Sequence, residues 1–220
     1  MAPLEPIHWQ TITNQMREVI QFLGRQDFMA EFYLAGGTAL ALRQGHRISV
    51  DLDFFSATNE ITANIRQRII QTLIPFNRQI LEEVDGNLLL RLTDLRVGFF
   101  GYGHPLLAPT DSVEGVAVAA LVDIGLMKLD ALISRGSRKD FYDLYVIAQE
   151  IPLADLLALG RAKYPYARDF ELMAVESLVL FENADRDLQP QLLLELPWTA
   201  IRTFFVEQAQ QLGDQWFGES

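Results

Sequence analysis

Every segment of this chain that reads as a β-strand lies before residue 120, and beyond residue 123 the pattern is helical alone. Short runs of β-branched, aliphatic and aromatic residues bounded by turn residues predict strands at 32–36, 49–55, 78–84, 87–92 and 95–101. Asp85-Gly86 and Thr93-Asp94 supply turns between the last three. Apolar residues at helical spacing predict helices around Ile12, Met16, Val19, Ile20 and Leu23, and around Ile61, Ile65, Ile69 and Leu73, with a short one over 38–45. A loop containing Pro105 and Pro109 leads to the apolar segment "GVAVAA", and helices are then predicted over 123–135, 138–150, 153–162, 167–183 and 198–212. This order predicts an α+β fold: a mixed sheet with flanking helices in residues 1–122, then a helical C-terminal part over 123–220. No Gly/Ser-rich linker separates the parts, so they are expected to pack together.

Composition narrows the function classes. A chain of 220 residues, half of them hydrophobic, can bury a sizeable core. The absence of cysteine excludes a disulfide framework and a thiolate zinc site. "MAPLEPIHWQ" has no basic stretch leading into an apolar run, and "VAVAALVDIGLM" is interrupted by Asp123 and too short to span a bilayer. The expectation is a cytoplasmic protein with no membrane association. The formal net charge of −11 repels nucleic acid at long range, so any nucleotide or RNA must be held by local cations or a divalent metal. His8, His46 and His104 are too scattered to suggest a histidine metal site. No G-x-S-x-G is present, and the Gly-Gly-Thr turn lacks the lysine of a P-loop.

The chemistry concentrates in "LAGGTALALRQGHRISVDLDFF", residues 34–55. Alternate side chains of a strand share a face about 6.6–6.8 Å apart, which puts Asp51 and Asp53 together and turns Val50, Leu52 and Phe54 toward the core. Two converging carboxylates repel unless a cation lies between them, and hard oxygen donors suit Mg²⁺. Gly36 and Gly37 allow main-chain N–H groups to approach a phosphate, Thr38 adds a hydroxyl, and the following helix aims its positive end there. The same residues also fit an amphipathic strand preceded by an ordinary capped turn.

A second dense stretch, "DIGLMKLDALISRGSRKDFYDLYVIAQ", spans 123–149. Lys128 and Arg135 share a helix face, and Gly136 ends that helix. Ser137 begins the next with Asp140 as capping partner, while Asp143 lies beside Asp140 on one face. Lys128, Arg135, Arg138 and Lys139 make this the most basic part of the chain, suited to phosphate or to a solvated pair of helices. Asp123 fits a helix N-cap.

Both stretches resemble the AbiEii/AbiGii-type nucleotidyltransferases, a toxin family of the DNA polymerase β-like nucleotidyltransferase superfamily, by the Gly-Gly-Thr…Asp-x-Asp segment and by Asp…Lys…Arg-Gly…Lys-Asp-x-x-Asp. The resemblance implies a nucleotidyltransferase-like fold and Mg²⁺-dependent transfer of a nucleotidyl group from a nucleoside triphosphate to an acceptor hydroxyl on a tRNA end or a protein. It also implies the toxin's role in a toxin–antitoxin or phage-defence system, with an antitoxin protein as partner. It assigns Asp51 and Asp53 to metal and catalysis, and Lys128 and Asp143 to catalysis. Gly36, Gly37, Thr38, Arg47, Ser49 and Lys128 fall to the nucleotide; separately, the acidic charge of the chain leaves any RNA to be gripped locally near Arg43, Arg47, Arg135 and Lys139. The superfamily commonly takes a third carboxylate from a later strand, for which "LRVGFFGYG" is the natural place, and here position 98 is glycine. That departure implies the alternative, a catalytically degenerate module that binds a protein partner or a nucleotide.

Overall fold

The structure, a computed structural model, describes residues 1–58 and 60–217. It divides into two compact units, one spanning Met1–Ala120 and one beginning at Leu121. The first holds α1 (Asn14–Leu23), β1 (Tyr33–Leu34), α2 (Gly36–Gln44), β2 (Asp51–Ser56), α3 (Ala63–Thr72), β3 (Arg78–Val84), β4 (Asn87–Leu92), β5 (Leu95–Gly101), β6 (Asp111–Val113) and β7 (Val116–Val118). Among the described residues the strands form one mixed sheet of order β3-β4-β5-β2-β1-β7-β6, parallel at β2–β5 and β1–β7 and antiparallel elsewhere. The fold class is α+β, as the sequence predicts.

Period-two patterning decides which sheet face is the core. Leu52 and Phe54 on β2, Val97 and Phe99 on β5, and Leu88 and Leu90 on β4 are fully buried. Phe99 stacks on Phe54 with ring centroids 5.1 Å apart and meets Phe32 edge-on at 5.3 Å. Helix α1 buries Met16, Val19, Ile20 and Leu23, and Thr13 caps it by accepting from the Met16 N–H at 3.2 Å, a bond of the kind worth about 1 kcal/mol.

Three expectations need correction here. Val50 is not a core residue: it precedes β2 and is 63% exposed. The first strand contracts to Tyr33–Leu34 because Gly36, at φ +65°, already belongs to the helix that follows. Neither strand of the β6–β7 hairpin is expected from the sequence: three residues are too few to show a period, and "GVAVAA" reads only as an apolar segment. The hairpin turn places Glu114 and Gly115 at φ 51° and 87°, the positive pair a two-residue hairpin turn demands.

The second unit is helical: α4 (Leu121–Ser134), α5 (Arg138–Ala148), α6 (Leu153–Ala158), α7 (Gly160–Lys163), α8 (Phe170–Ser177), α9 (Glu182–Arg186) and α10 (Trp198–Phe217). The helices expected over 153–162 and 167–183 are each broken in two. Phe141 organises the core, with ring centroids 5.1 Å from Phe181, 5.3 Å from Phe205 and 5.7 Å from Trp198.

The end of α1 rests against the β6–β7 turn so closely that a Cβ on Gly24 would lie 2.0 Å from the Glu114 carbonyl oxygen. Backbone faces backbone there, so neither side can yield by a rotamer change. Gly24→Ala is expected to cost about 3 kcal/mol, read as a lowered midpoint in urea, whereas Gly213→Ala, inside α10 where a Cβ meets nothing within 4 Å, should raise the midpoint slightly, by about 0.5–1 kcal/mol of stability.

Candidate functional site

The first unit builds its site where β1 ends beside β2. Leu34 pairs with Phe54, and the Ala35 N–H then donates to the Asp53 carbonyl at 3.2 Å. The chain turns at Gly36 into α2, whose opening residues Gly36 and Gly37 are half-buried. A Cβ on Gly36 would stand 3.8 Å from Asp53 Oδ2, so the start of the helix and this carboxylate are neighbours. Such a helix start presents main-chain N–H groups and positive potential to an anion.

Thr38, one turn in, is buried. Its hydroxyl donates to the Asp51 carbonyl, and the Ser49 hydroxyl, 2.8 Å away, is left to donate to Thr38 in turn. Both hydroxyls therefore latch the start of α2 onto the start of β2. Arg47 is buried as well and donates through Nη1 to the Ile48 carbonyl at 3.1 Å.

Asp51 and Asp53 share one face of β2 and both are half-buried. The parallel register sets Asp51 beside Arg96 and Asp53 beside Gly98 on β5. Arg96 is exposed, and β4 sets exposed Arg91 beside it. Arg91 did not stand out in the sequence because only sheet register makes it a neighbour of Arg96. At Gly98 a side chain would have to displace Phe100: a Cβ would lie 2.3 Å from two of its ring atoms and 3.3 Å from Asp53 Oδ1. The Phe100 ring covers the glycine. Among the described residues no group of three or more His, Asp or Glu side chains is arranged to hold a metal ion. The donor set offered here is two hard carboxylates, which suits Mg²⁺, a cation that typically takes one or two carboxylates plus substrate phosphate oxygens and water.

The cluster of the second unit is built differently. Lys128 is buried, its ammonium 2.9 Å from Asp140 Oδ1 and 2.6 Å from Asp143 Oδ2, and both aspartates are fully buried. Arg135 grips Asp140 through two N–H groups, at 2.8 and 2.9 Å, and the Ser137 hydroxyl donates to it at 2.5 Å. Burial opposes charge on Asp140, but Lys128, Arg135 and Ser137 together outweigh it and hold its carboxyl well below the usual carboxylate range. Asp140 is thus no capping partner for a backbone N–H, and Ser137 caps α5 without a side-chain bond to the main chain. Asp123 is not an N-cap either. It lies inside the first turn of α4, fully buried, 2.7 Å from the ammonium of fully buried Lys163. That pair was not legible in sequence, since 40 residues separate its members.

The expected basic patch is largely spent on structure. Arg43 pairs with Asp111 at 2.8 Å and donates to the Ala119 carbonyl. Arg138 donates to the Ala184 carbonyl at 2.8 Å and lies 5.0 Å over the Trp198 ring. Lys139 remains exposed.

Comparison with known proteins agrees with this architecture. The fold is that of a nucleotidyltransferase. It superposes on the nucleotidyltransferase toxin MenT4 of Mycobacterium tuberculosis with a TM-score of 0.62 at 16% identity, covering 91% of this chain and 82% of that one. On the antibiotic-resistance factor ANT(2'')-Ia, solved with adenylyl-2''-tobramycin, the TM-score is 0.53 at 14% identity, covering 68% and 97%. The chain is 32% identical over 205 residues to an uncharacterised protein of Aquifex aeolicus, covering 91% of this chain and 97% of that protein. Residues 21–91 and 101–216 match the family described as "Nucleotidyl transferase AbiEii toxin, Type IV TA system". The chain belongs to the AbiEii nucleotidyltransferase toxin family. The interval between the matched segments, 92–100, contains Gly98 and most of β5.

Two expectations follow. Asp140→Asn removes one partner of a buried ion cluster and should cost about 3–5 kcal/mol. Because the folded-state pKa of Asp140 is depressed, its contribution is complete above the unfolded value near 3.9 and is lost as pH falls toward the folded one. Chemical unfolding between about pH 4 and pH 2 should therefore show a shallower acid loss in Asp140→Asn than in wild type. Second, Gly98→Ala should cost about 1–3 kcal/mol by displacing the Phe100 ring. Adding Phe100→Ala should recover part of that cost, a coupling that a double-mutant cycle measures.

Proposed function

We propose that this chain is a Mg²⁺-dependent nucleotidyltransferase that moves a nucleotidyl group from a nucleoside triphosphate to an acceptor hydroxyl, on a tRNA end or a protein, as the toxin of a toxin–antitoxin or phage-defence system. The observation that carries this reading is the adjacency of the Asp51–Asp53 face to the start of α2, which brings two carboxylates and a row of main-chain donors to one place. Asp51 and Asp53 would hold the metal, which would supply charge neutralisation for the triphosphate. The N–H groups of Gly36, Gly37 and Thr38 receive the phosphates. Thr38, Ser49 and Arg47 serve by holding that turn rather than by reaching the ligand, since their side chains are buried and bonded internally. The acceptor hydroxyl oxygen forms a bond to the α-phosphorus and releases its proton to solvent, while the α–β phosphoanhydride bond breaks and pyrophosphate carries away the electron pair.

Lys128 and Asp143 enter the reading through the family pattern. Their geometry adds that Asp143 fixes the Lys128 ammonium at 2.6 Å, so Asp143 acts as a positioning residue for that charge. The cytoplasmic toxin role and the antitoxin partner rest on the family, and no helix among the described residues is long and apolar enough to cross a membrane. The covered glycine at 98 favours a second reading, a module that binds nucleotide or antitoxin without turnover.

The test is thermal unfolding with each of the four nucleoside triphosphates, with and without Mg²⁺, on wild type and Asp53→Asn. A ligand at a hundred times its Kd stabilises by about 2.7 kcal/mol, roughly 5–10 °C at this size. The expected result is a Mg²⁺-dependent shift for wild type that Asp53→Asn loses, with labelled nucleotide transfer falling at least about 100-fold in the variant. A shift without transfer to any RNA or protein would select the second reading, and no shift with any nucleotide would remove the first.

A further inference from the structure

The sheet face that carries Asp51 and Asp53 also carries a run of aromatic side chains, among which Tyr33, opposite Phe55 in the ladder, is buried and stacks on it at 6.2 Å. On the core face, Phe32, Phe54 and Phe99 are at most 3% exposed. On the face that carries Asp51 and Asp53, Phe55, Phe100, Tyr102 and His104 are all half-buried. Register places Phe55 two residues beyond Asp53 on β2 and Phe100 two residues beyond Gly98 on β5, directly beside each other. Their ring centroids are 5.4 Å apart, tilted by 37°. Tyr102 meets Phe55 edge-on at 5.5 Å, and His104 meets Tyr102 edge-on at 4.9 Å. A continuous wall of rings therefore begins where the carboxylates end.

Phe100 is the ring nearest the chemistry. It folds back over Gly98, whose missing Cβ would be 2.3 Å from the ring and 3.3 Å from Asp53 Oδ1. The start of α2 flanks Asp53 from the β1 side and Phe100 flanks it from the β5 side. A flat π-surface beside the carboxylate pair and the start of α2 matches the one flat apolar part of a nucleotide. The bare Gly98 leaves room for the Phe100 ring beside Asp53.

We infer that Phe100, backed by Phe55 and Tyr102, is a stacking site for a nucleobase adjoining the Asp51–Asp53 pair. The base belongs either to the donor triphosphate or to the nucleic-acid acceptor. This rests on the reading of that pair as the phosphate and metal site. Base–aromatic stacking carries affinity without reading base identity, because every base has a π-face.

The experiment measures Kd at fixed Mg²⁺ for the four nucleoside triphosphates, for inorganic tripolyphosphate and for a tRNA mixture. The proteins are wild type, Phe100→Leu, Phe100→Trp and Asp53→Asn, each first verified as folded by its unfolding transition. If the donor base stacks, Phe100→Leu raises the nucleotide Kd relative to the tripolyphosphate Kd about 5- to 150-fold, and Phe100→Trp restores it. If the acceptor base stacks, the same loss and rescue appear for tRNA while the nucleotide ratio stays put. Unchanged ratios in both arms overturn the inference, and so does an equal loss for tripolyphosphate, which would mean a structural role. Asp53→Asn separates the two levels. Undiminished tripolyphosphate binding in that variant defeats the reading of the carboxylate pair, while a base-dependent loss in Phe100→Leu still upholds the stacking site.

Discussion

The bond from the Thr38 hydroxyl to the Asp51 carbonyl is the constraint on which the first unit's site depends. It runs from the first turn of one element to the first residue of another, and with Ser49 on its far side it forms a buried chain of hydroxyls. A buried hydroxyl without a partner costs on the order of 1–3 kcal/mol, so this arrangement has few alternatives. Once α2 begins there, Gly36 must take a positive φ, and its missing side chain lets the helix start approach Asp53. A carboxylate near a helix N-terminus is itself stabilised by the positive end of that helix. Asp53 thus sits where a helix start and a sheet face both present charge to the same place.

The second unit solves an electrostatic problem of another kind. Its helices bury Asp123, Asp140, Asp143, Lys128 and Lys163, and burying any one alone would cost several kcal/mol. Pairing makes the burial tolerable: Lys163 answers Asp123, and Lys128 answers Asp140 and Asp143. Arg135, more than half exposed at its side chain, closes the cluster toward solvent. Much of the chain's positive charge inside this unit is therefore committed to neutralising its own carboxylates. This is why a count of cations along residues 128–139 overstates what is available to an outside anion.

Elements were legible in the sequence wherever a period ran for six residues or more. β3, β4 and β5 match their predicted spans, and α1 and α3 lie within theirs, because alternation and helical spacing are local signals. β6 and β7 escaped because three residues carry no period, and their Glu-Gly turn is not among the commonest pairs for such hairpins. The helix predicted over 153–162 breaks at Leu159, before Gly160, a residue whose lack of a side chain lets the Phe170 ring approach, and the one predicted over 167–183 breaks between Ser177 and Glu182. Val50 was misplaced by assuming that alternation extends one residue past the strand end, where the backbone has already left the ladder.

By itself the sequence determined the α+β class, the pairing of Asp51 with Asp53 on one face, and the Gly-Gly-Thr turn before them, since each follows from spacing within a dozen or so residues. Only the tertiary structure decided that Thr38 and Ser49 bond to each other and to the backbone, and that Lys128 is enclosed by two aspartates. The same holds for the Phe100 ring, which lies over Gly98. Alternation puts Gly98 and Phe100 on one face but does not say where the ring turns. That depends on strand register and on which side chains compete for the same space, and both are settled between segments distant in the chain.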